Sequence, residues 1–339
     1  MRLGAACALL LVGAFAATVA VLLPTYVSDR LARTPLDIRT TTVAETPPGL
    51  GGDVLDTASI AGPGPLTVST GVPLSVRRAI TVEEPSDADR VTFQGASQVR
   101  RGDRPEETSL LTASVDRVTL DRRSGLPVEP AGTLQTSADA PAQPVPRTGL
   151  QQRFPFGTEK RTYSVYDATS QTSFPAEFVE ETVVDGVTVY HFRSVIERHD
   201  LRRTTTSPIN TVTLPAAKWG LGGDEPVTMT RWYSNTREIY VEPRSGSLVG
   251  GAEQPYQYFA RDAARPEVTV LKASFALTEA GRVEQLSRAR DAARKLEMLG
   301  RAPVIAGVVA VVALSGGTVL AVSAARRRGD ASVRAAPSG

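Results

Sequence analysis

FVEETVVDGVTVYHFRSV, residues 178–195, carries the strongest local signal in the chain. Val, Thr, Tyr and Phe crowd both halves of it, and Asp185-Gly186 sits between them. β-branched and aromatic side chains suit a pleated, half-buried surface. A two-residue type I′ turn needs positive φ at both central positions, which Asp-Gly tolerates. The run therefore predicts a β-hairpin that sets Val184 opposite Val187, Glu180 opposite His191 and Val179 opposite Phe192. An antiparallel, mainly β fold follows if the flanking sequence agrees.

It does agree. Before the hairpin, 67–70, 79–82, 90–93 and 115–120 are short and rich in Val, Ile and Thr; so are 161–166, 227–233, 238–241 and 268–275 around and after it. Runs of this kind bounded by Gly, Pro, Asn and Asp read as strands, and their frequency predicts antiparallel sheets arranged as a sandwich or partial barrel. Residues 44–65, rich in Pro, Gly, Thr and Ala, read as a loop. Residues 129–148 read as a linker between two β units, 66–128 and 154–276. The units echo one another. Val118 to Val128 and Ile239 to Val249 are each a strand, an acid (Asp121 or Glu242), a turn closed by Arg-Ser-Gly, and a returning strand. Gly125 and Gly246 would supply the left-handed residue of a bulged turn. Similar hairpins arise without common ancestry, so a repeat and a coincidence both remain open.

One segment reads as a soluble helix. Over 279–300, Val283, Leu286, Ala289, Ala293, Leu296 and Leu299 recur every three or four residues, with Arg282, Arg288, Arg290, Arg294 and Lys295 on the other faces. It can pack on the sheet, lie on lipid headgroups, or pair with a second copy. The fold class is thus a mainly β (α+β) exported domain with an amphipathic juxtamembrane helix.

Two uncharged apolar runs flank this middle, 3–23 and 302–325. About 20 residues of helix cross a hydrocarbon core of roughly 30 Å, so both read as transmembrane helices. The first is a signal anchor or a cleaved signal peptide, for which Thr18-Val19-Ala20 offers small residues; its length exceeds the usual apolar run of about 7–15 residues in a signal peptide. Arg326-Arg327-Arg328 and Arg334 follow the second run, and Lys/Arg-rich short flanks stay in the cytoplasm. Arg30 and Arg33 after the first run weigh mildly the other way, and Asp29 weakens them. The expected topology is two-pass in the plasma membrane: residues 1–2 and the basic tail 326–339 cytoplasmic, residues 24–301 outside.

Composition narrows the function. Lys+Arg of 38 against Asp+Glu of 36 gives no basic surplus for nucleic acid. Cys7, the single cysteine, lies in the first apolar run, so the exported part has no disulfide framework or cysteine nucleophile. The two histidines are His191 and His199. His191 faces Glu180, which makes a cross-strand ion pair, and His199 lies in a polar strand end. No three- or four-ligand metal pattern or Ser-His-acid arrangement appears. Lys218 to Gly223 lacks the spacing and βα context of a phosphate loop, and Arg101-Gly102-Asp103 is too short to inform. No carboxylate pair is nominated by spacing. The expectation is a non-enzyme, with no cofactor, catalytic residue or metal site, and with its binding residues unassigned.

Phe154-Pro155-Phe156-Gly157-Thr158-Glu159-Lys160-Arg161-Thr162-Tyr163 is the most distinctive run. With Asp167, the strand from Gly186 to Tyr190-His191-Phe192, and Val241-Glu242-Pro243-Arg244-Ser245-Gly246, it resembles an actinobacterial membrane family known as the porin PorA family. The resemblance spans nearly the whole chain, and its motifs lie in the second half. Val165-Tyr166-Asp167 departs from the aromatic-Trp-Asp run expected there. The resemblance implies an anchor, a long exported domain, a second anchor and a short basic tail, and it supplies no catalytic residue. Its name implies a pore, yet two apolar helices from one chain enclose none, so a pore requires an oligomer of unspecified size. The leading expectation is an envelope membrane protein whose exported domain binds a lipid-like ligand or a protein partner at the bilayer. A structural scaffold of an envelope complex and an oligomeric pore are the alternatives.

Overall fold

The 178–195 hairpin forms as its sequence predicts at the turn. Asp185 and Gly186 take φ values of 48° and 79°, and Val184 pairs with Val187 and Glu180 with His191. One expected pair is different. Phe178, not Val179, lies opposite Phe192, because Val179 is the extra residue of a β-bulge. The bulge turns Phe178 onto the Tyr190 and Phe192 rings, with centroids 5.6 and 5.8 Å away, and leaves Val179 exposed.

The computed structural model describes residues 2–24, 32–128 and 132–334. Met1, Arg30, the first residues of the 129–148 stretch and the end of the basic tail lie outside the described residues. The strands are β1 (Arg39–Glu45), β2 (Gly52–Leu55), β3 (Val68–Val72), β4 (Leu74–Glu83), β5 (Arg90–Arg101), β6 (Leu110–Asp121), β7 (Gly132–Gln135) and β8 (Gln143–Val145). They continue with β9 (Tyr163–Asp167), β10 (Thr172–Val184), β11 (Val187–Asp200), β12 (Thr211–Pro215), β13 (Pro226–Glu242), β14 (Ser247–Glu253), β15 (Tyr256–Ala260), β16 (Val268–Lys272) and β17 (Phe275–Leu277). The helices are α1 (Arg2–Leu22), the single turns α2 (Ala58–Ala61) and α3 (Glu106–Ser109), and α4 (Glu279–Arg334). All the strands join one antiparallel sheet; the sequence leaves a sandwich and a partial barrel as the alternatives.

β13 organises that sheet. It carries β12 and β11 along one edge and β15 and β14 along the other. From β14 the ladder runs through β17 to β1, β4, β5 and β6, so strands from both halves of the sequence share it. The stretch read as a linker adds β7 and β8 beyond β6, and the stretch read as a loop contributes β2, which pairs with β16 and β3. A polar, Pro-rich composition signals weak packing of side chains; it does not prevent backbone pairing at a sheet margin.

The chain divides into two compact units, residues 34–290 and the two ends, 1–33 with 291–339. In the larger unit, α4 starts at Thr278, whose hydroxyl accepts from the Gly281 amide at 3.3 Å. Leu286 and Ala289 pack against Val187, Val189 and Val249. Of the three expectations for this helix, packing on the sheet is the one seen. Burying a leucine there is worth roughly 1.5–3 kcal/mol. The helix does not stop at residue 300; it continues through Pro303 to Arg334. In the smaller unit, α1 and the apolar part of α4 lie antiparallel at close range. A Cβ at Gly13 would collide with Leu314, and one at Gly317 with Leu10. Ala6, Ala16, Ala310 and Ala313 are buried, so small residues form the seam.

Candidate functional site

The larger unit holds its apolar side chains in several separate clusters, four of which border one cavity of about 660 Å³, the fourth through Tyr233. Phe154 and Ile239 face it from the first, Val76 and Phe275 from the second, Trp219 and Phe259 from the third. Its wall draws on β1, β2, β4, β5, β6, β9 and β12 to β17. The size falls within the roughly 300–1,000 Å³ of ligand sites, which are mostly apolar with a few placed polar groups.

The polar groups here are conspicuous. On β13 the inward side chains run Met229, Arg231, Tyr233, Asn235, Arg237, Ile239 and Val241, and four of these seven are polar or charged. Tyr233 donates to Asp167 at 2.9 Å and accepts from Asn235 at 3.0 Å; burial, then the Asp167 charge, push its phenol well above the usual range. Arg237 donates to the Tyr166 carbonyl at 3.2 Å and pairs with Glu253 at 3.2 Å. Arg231 donates to Gln257 while its Nε has no partner among the described residues, and burial lowers its pKa to about 10. Arg153 also sits near 10 through burial, but it is tied down. It donates to the Phe154 and Ser245 carbonyls and to the Thr34 hydroxyl, and its guanidinium lies 3.9 Å from the Phe156 ring centroid. Arg78, on β4 between Val76 and Ile80, also lines the cavity, and burial depresses its pKa.

The sequence candidates fall elsewhere. His191 does oppose Glu180, but its Nδ1 is 3.9 Å from that carboxylate, while its Nε2 makes a short contact with Glu238. Glu238 also accepts from Arg193 at 2.8 Å, and Tyr240 stacks on the imidazole at 4.6 Å. This ladder crosses three strands, β10, β11 and β13. His199 bonds the Thr204 hydroxyl at 2.9 Å, and burial lowers its pKa. No group of three or more His, Cys, Asp or Glu able to hold a metal occurs among the described residues.

The motif residues converge on one corner. Phe154, Gly157 and Thr158 donate backbone N–H groups to Gly246, Arg244 and Pro243 at 2.9, 3.1 and 2.7 Å. The FPFGTEKRTY run therefore wraps the Glu242–Gly246 turn, and Phe154 and Tyr163 enter the core beside Phe192, 4.9 and 5.8 Å from its centroid. Gly246 has φ of 69°, and a Cβ there would strike the Phe154 carbonyl. The two motifs are halves of one clamp on the cavity wall. The cavity arginines went unmarked in the sequence; the available signal was a charge at an inward position of an otherwise apolar strand, as at Arg78.

Residues 5–319 match the family model described as Porin PorA. Porin PorA of Corynebacterium amycolatum is 29% identical over 369 residues, covering 90% of this chain and 95% of that protein. Porin PorA of Corynebacterium resistens is 28% identical over 404 residues, covering 95% and 97%. Aligned nearly end to end with these proteins and matched along almost its full length, the chain belongs to the Porin PorA family.

Proposed function

We propose that this is a non-catalytic envelope membrane protein whose β unit, outside the plasma membrane, curves as a partial barrel around an amphiphilic ligand. The cavity carries the reading. Its volume of about 660 Å³ lies within the range of ligand sites. A largely apolar wall suits an acyl chain, and the few charged groups in it suit a polar end. Val76→Trp should fill it. The expected outcome is a higher melting temperature and loss of lipid that co-purifies with the wild-type chain in lipid nanodiscs, scored by native mass spectrometry. Equal lipid occupancy in wild type and V76W would sink the proposal.

The two-pass placement rests on α1 and α4. Both contain windows long and apolar enough to cross a bilayer, and only 17% of each window is buried, which a core helix of a soluble protein would not tolerate. Leu11, Phe15, Val311 and Val312 stand exposed. In intact cells, a cysteine at exposed Ser137 in a C7S background should react with an impermeant maleimide, while a tag at the C-terminus should stay protected from protease. The reverse pattern would overturn the orientation. The name of the relatives favours a second reading, an oligomeric pore.

A further inference from the structure

We infer that the cavity recognises an amphiphile by an anionic oxygen head group, a carboxylate or a phosphate, bound by Arg78. The inference rests on the cavity being a lipid site, and it adds the chemistry of the ligand's polar end.

Arg78 stands out among the cavity arginines by what surrounds it. Arg153 is bonded to two carbonyls and a hydroxyl, Arg237 is paired with Glu253, and Arg231 donates to Gln257. Arg78 has no hydrogen-bond or ion-pair partner among the described residues, and its side chain lines the cavity. The carboxylates that act on it most strongly, Glu253 and Asp116, are engaged by Arg237 and by Arg147 with Gln151. Its register neighbours across β1 and β5 are Thr42 and Ser97, and both also line the cavity. A guanidinium flanked by two hydroxyl-bearing residues can offer donors to one oxyanion from three strands. Elsewhere the inward face of β4 is apolar, with Leu74, Val76, Ile80 and Val82 packed into the core clusters.

Arginine stays charged at any physiological pH. Arg78 is half-buried at the cavity, and the carboxylates that act on it are already engaged by other groups, so its donors are left for an oxyanion entering the cavity. The planar fork of the guanidinium fits carboxylate and phosphate oxygens bidentately. The acyl part of the same molecule would then occupy the apolar remainder of the cavity.

The test uses the full chain in lipid nanodiscs, with protein-free nanodiscs as background. Three fluorescent probes share one acyl chain: the free acid, its methyl ester and the corresponding alkyl phosphate. The wild type should bind at least one anionic probe roughly tenfold or more tightly than the ester, a difference of the size one charge-assisted contact provides. Whichever of acid and phosphate binds more tightly identifies the head group. R78Q should erase the preference while leaving the ester affinity within about twofold, and R78K should keep part of it. Equal wild-type affinities for all three probes would overturn the head-group inference and leave the lipid site standing. A preference that survives R78Q would also overturn it. If no probe, ester included, binds above background, the lipid site itself is refuted.

Discussion

Asp121, Asp167 and Glu242 do one job at three corners of the sheet. Each ends a strand and turns its carboxylate onto the amides of the following residues. Asp121 accepts from Ser124 N and Oγ at 2.7 and 2.8 Å, Asp167 from Ser170 N and Oγ at 2.8 and 2.9 Å, and Glu242 from Ser245 N at 2.7 Å. The residue after each serine is left-handed: Gly125 at φ 72°, Gln171 at 54° and Gly246 at 69°. Two of the three turns were legible from their Arg-Ser-Gly signature. The third was hidden because glutamine occupies the left-handed position, which side chains other than those of Asn, Asp and His seldom adopt. Burial raises the Asp121 pKa, but the bonds from Ser124 and Arg123 outweigh it and hold the group below its ordinary 3.8. A carboxylate depressed in the fold stabilises above its unfolded pKa, near about 4, and that stability is lost as pH falls through the folded value. D121N should therefore cost about 1–2 kcal/mol at neutral pH and flatten the fall in stability below pH ~4, read from urea midpoints across pH. An unchanged acid slope would remove Asp121 from the account.

At the scale of elements, what could be read locally was read and what depended on partners was not. The Asp185-Gly186 turn follows from two residues and their φ preferences, so hairpin and register near the turn were legible. The Val179 bulge was not, because it is selected by the aromatic packing of Phe178 on Tyr190 and Phe192, and a bulge shifts every pair beyond it. The Thr-rich β1 was invisible for a related reason. Its partners are β4 and β17, and the second lies more than half the chain away. That pairing also dissolves the boundary between two β units, since it joins the N-terminal strands to the C-terminal ones. The cavity has the same character. No single strand encodes it; it exists because clusters from distant segments meet around a space they do not fill, and only the charge of Arg78 within an apolar strand hinted at it.

For the molecule as a whole, the name of the family and the chemistry of the helices pull apart. A water path through a bilayer needs polar or charged side chains facing it. Within the seam between α1 and α4 the buried residues are alanines, with glycines at the closest approach. The threonines of these helices serve their own backbones: Thr18 donates to the Ala14 carbonyl at 3.0 Å and Thr318 to that of Leu314 at 2.7 Å. Among the described residues, one chain thus presents two close-packed apolar helices whose seam is built of alanines and glycines. Conduction would have to arise from several copies arranged around a common axis, with an apolar wall that water enters poorly. Purified protein added to planar bilayers should accordingly give current indistinguishable from protein-free controls, at concentrations where its insertion is verified by flotation with liposomes. Discrete conductance steps that scale with protein concentration to a power above one, and that vanish in a variant with bulky residues at Gly307 and Gly316, would establish the oligomeric pore. They would also move the β unit's cavity from the centre of the function to an accessory of it.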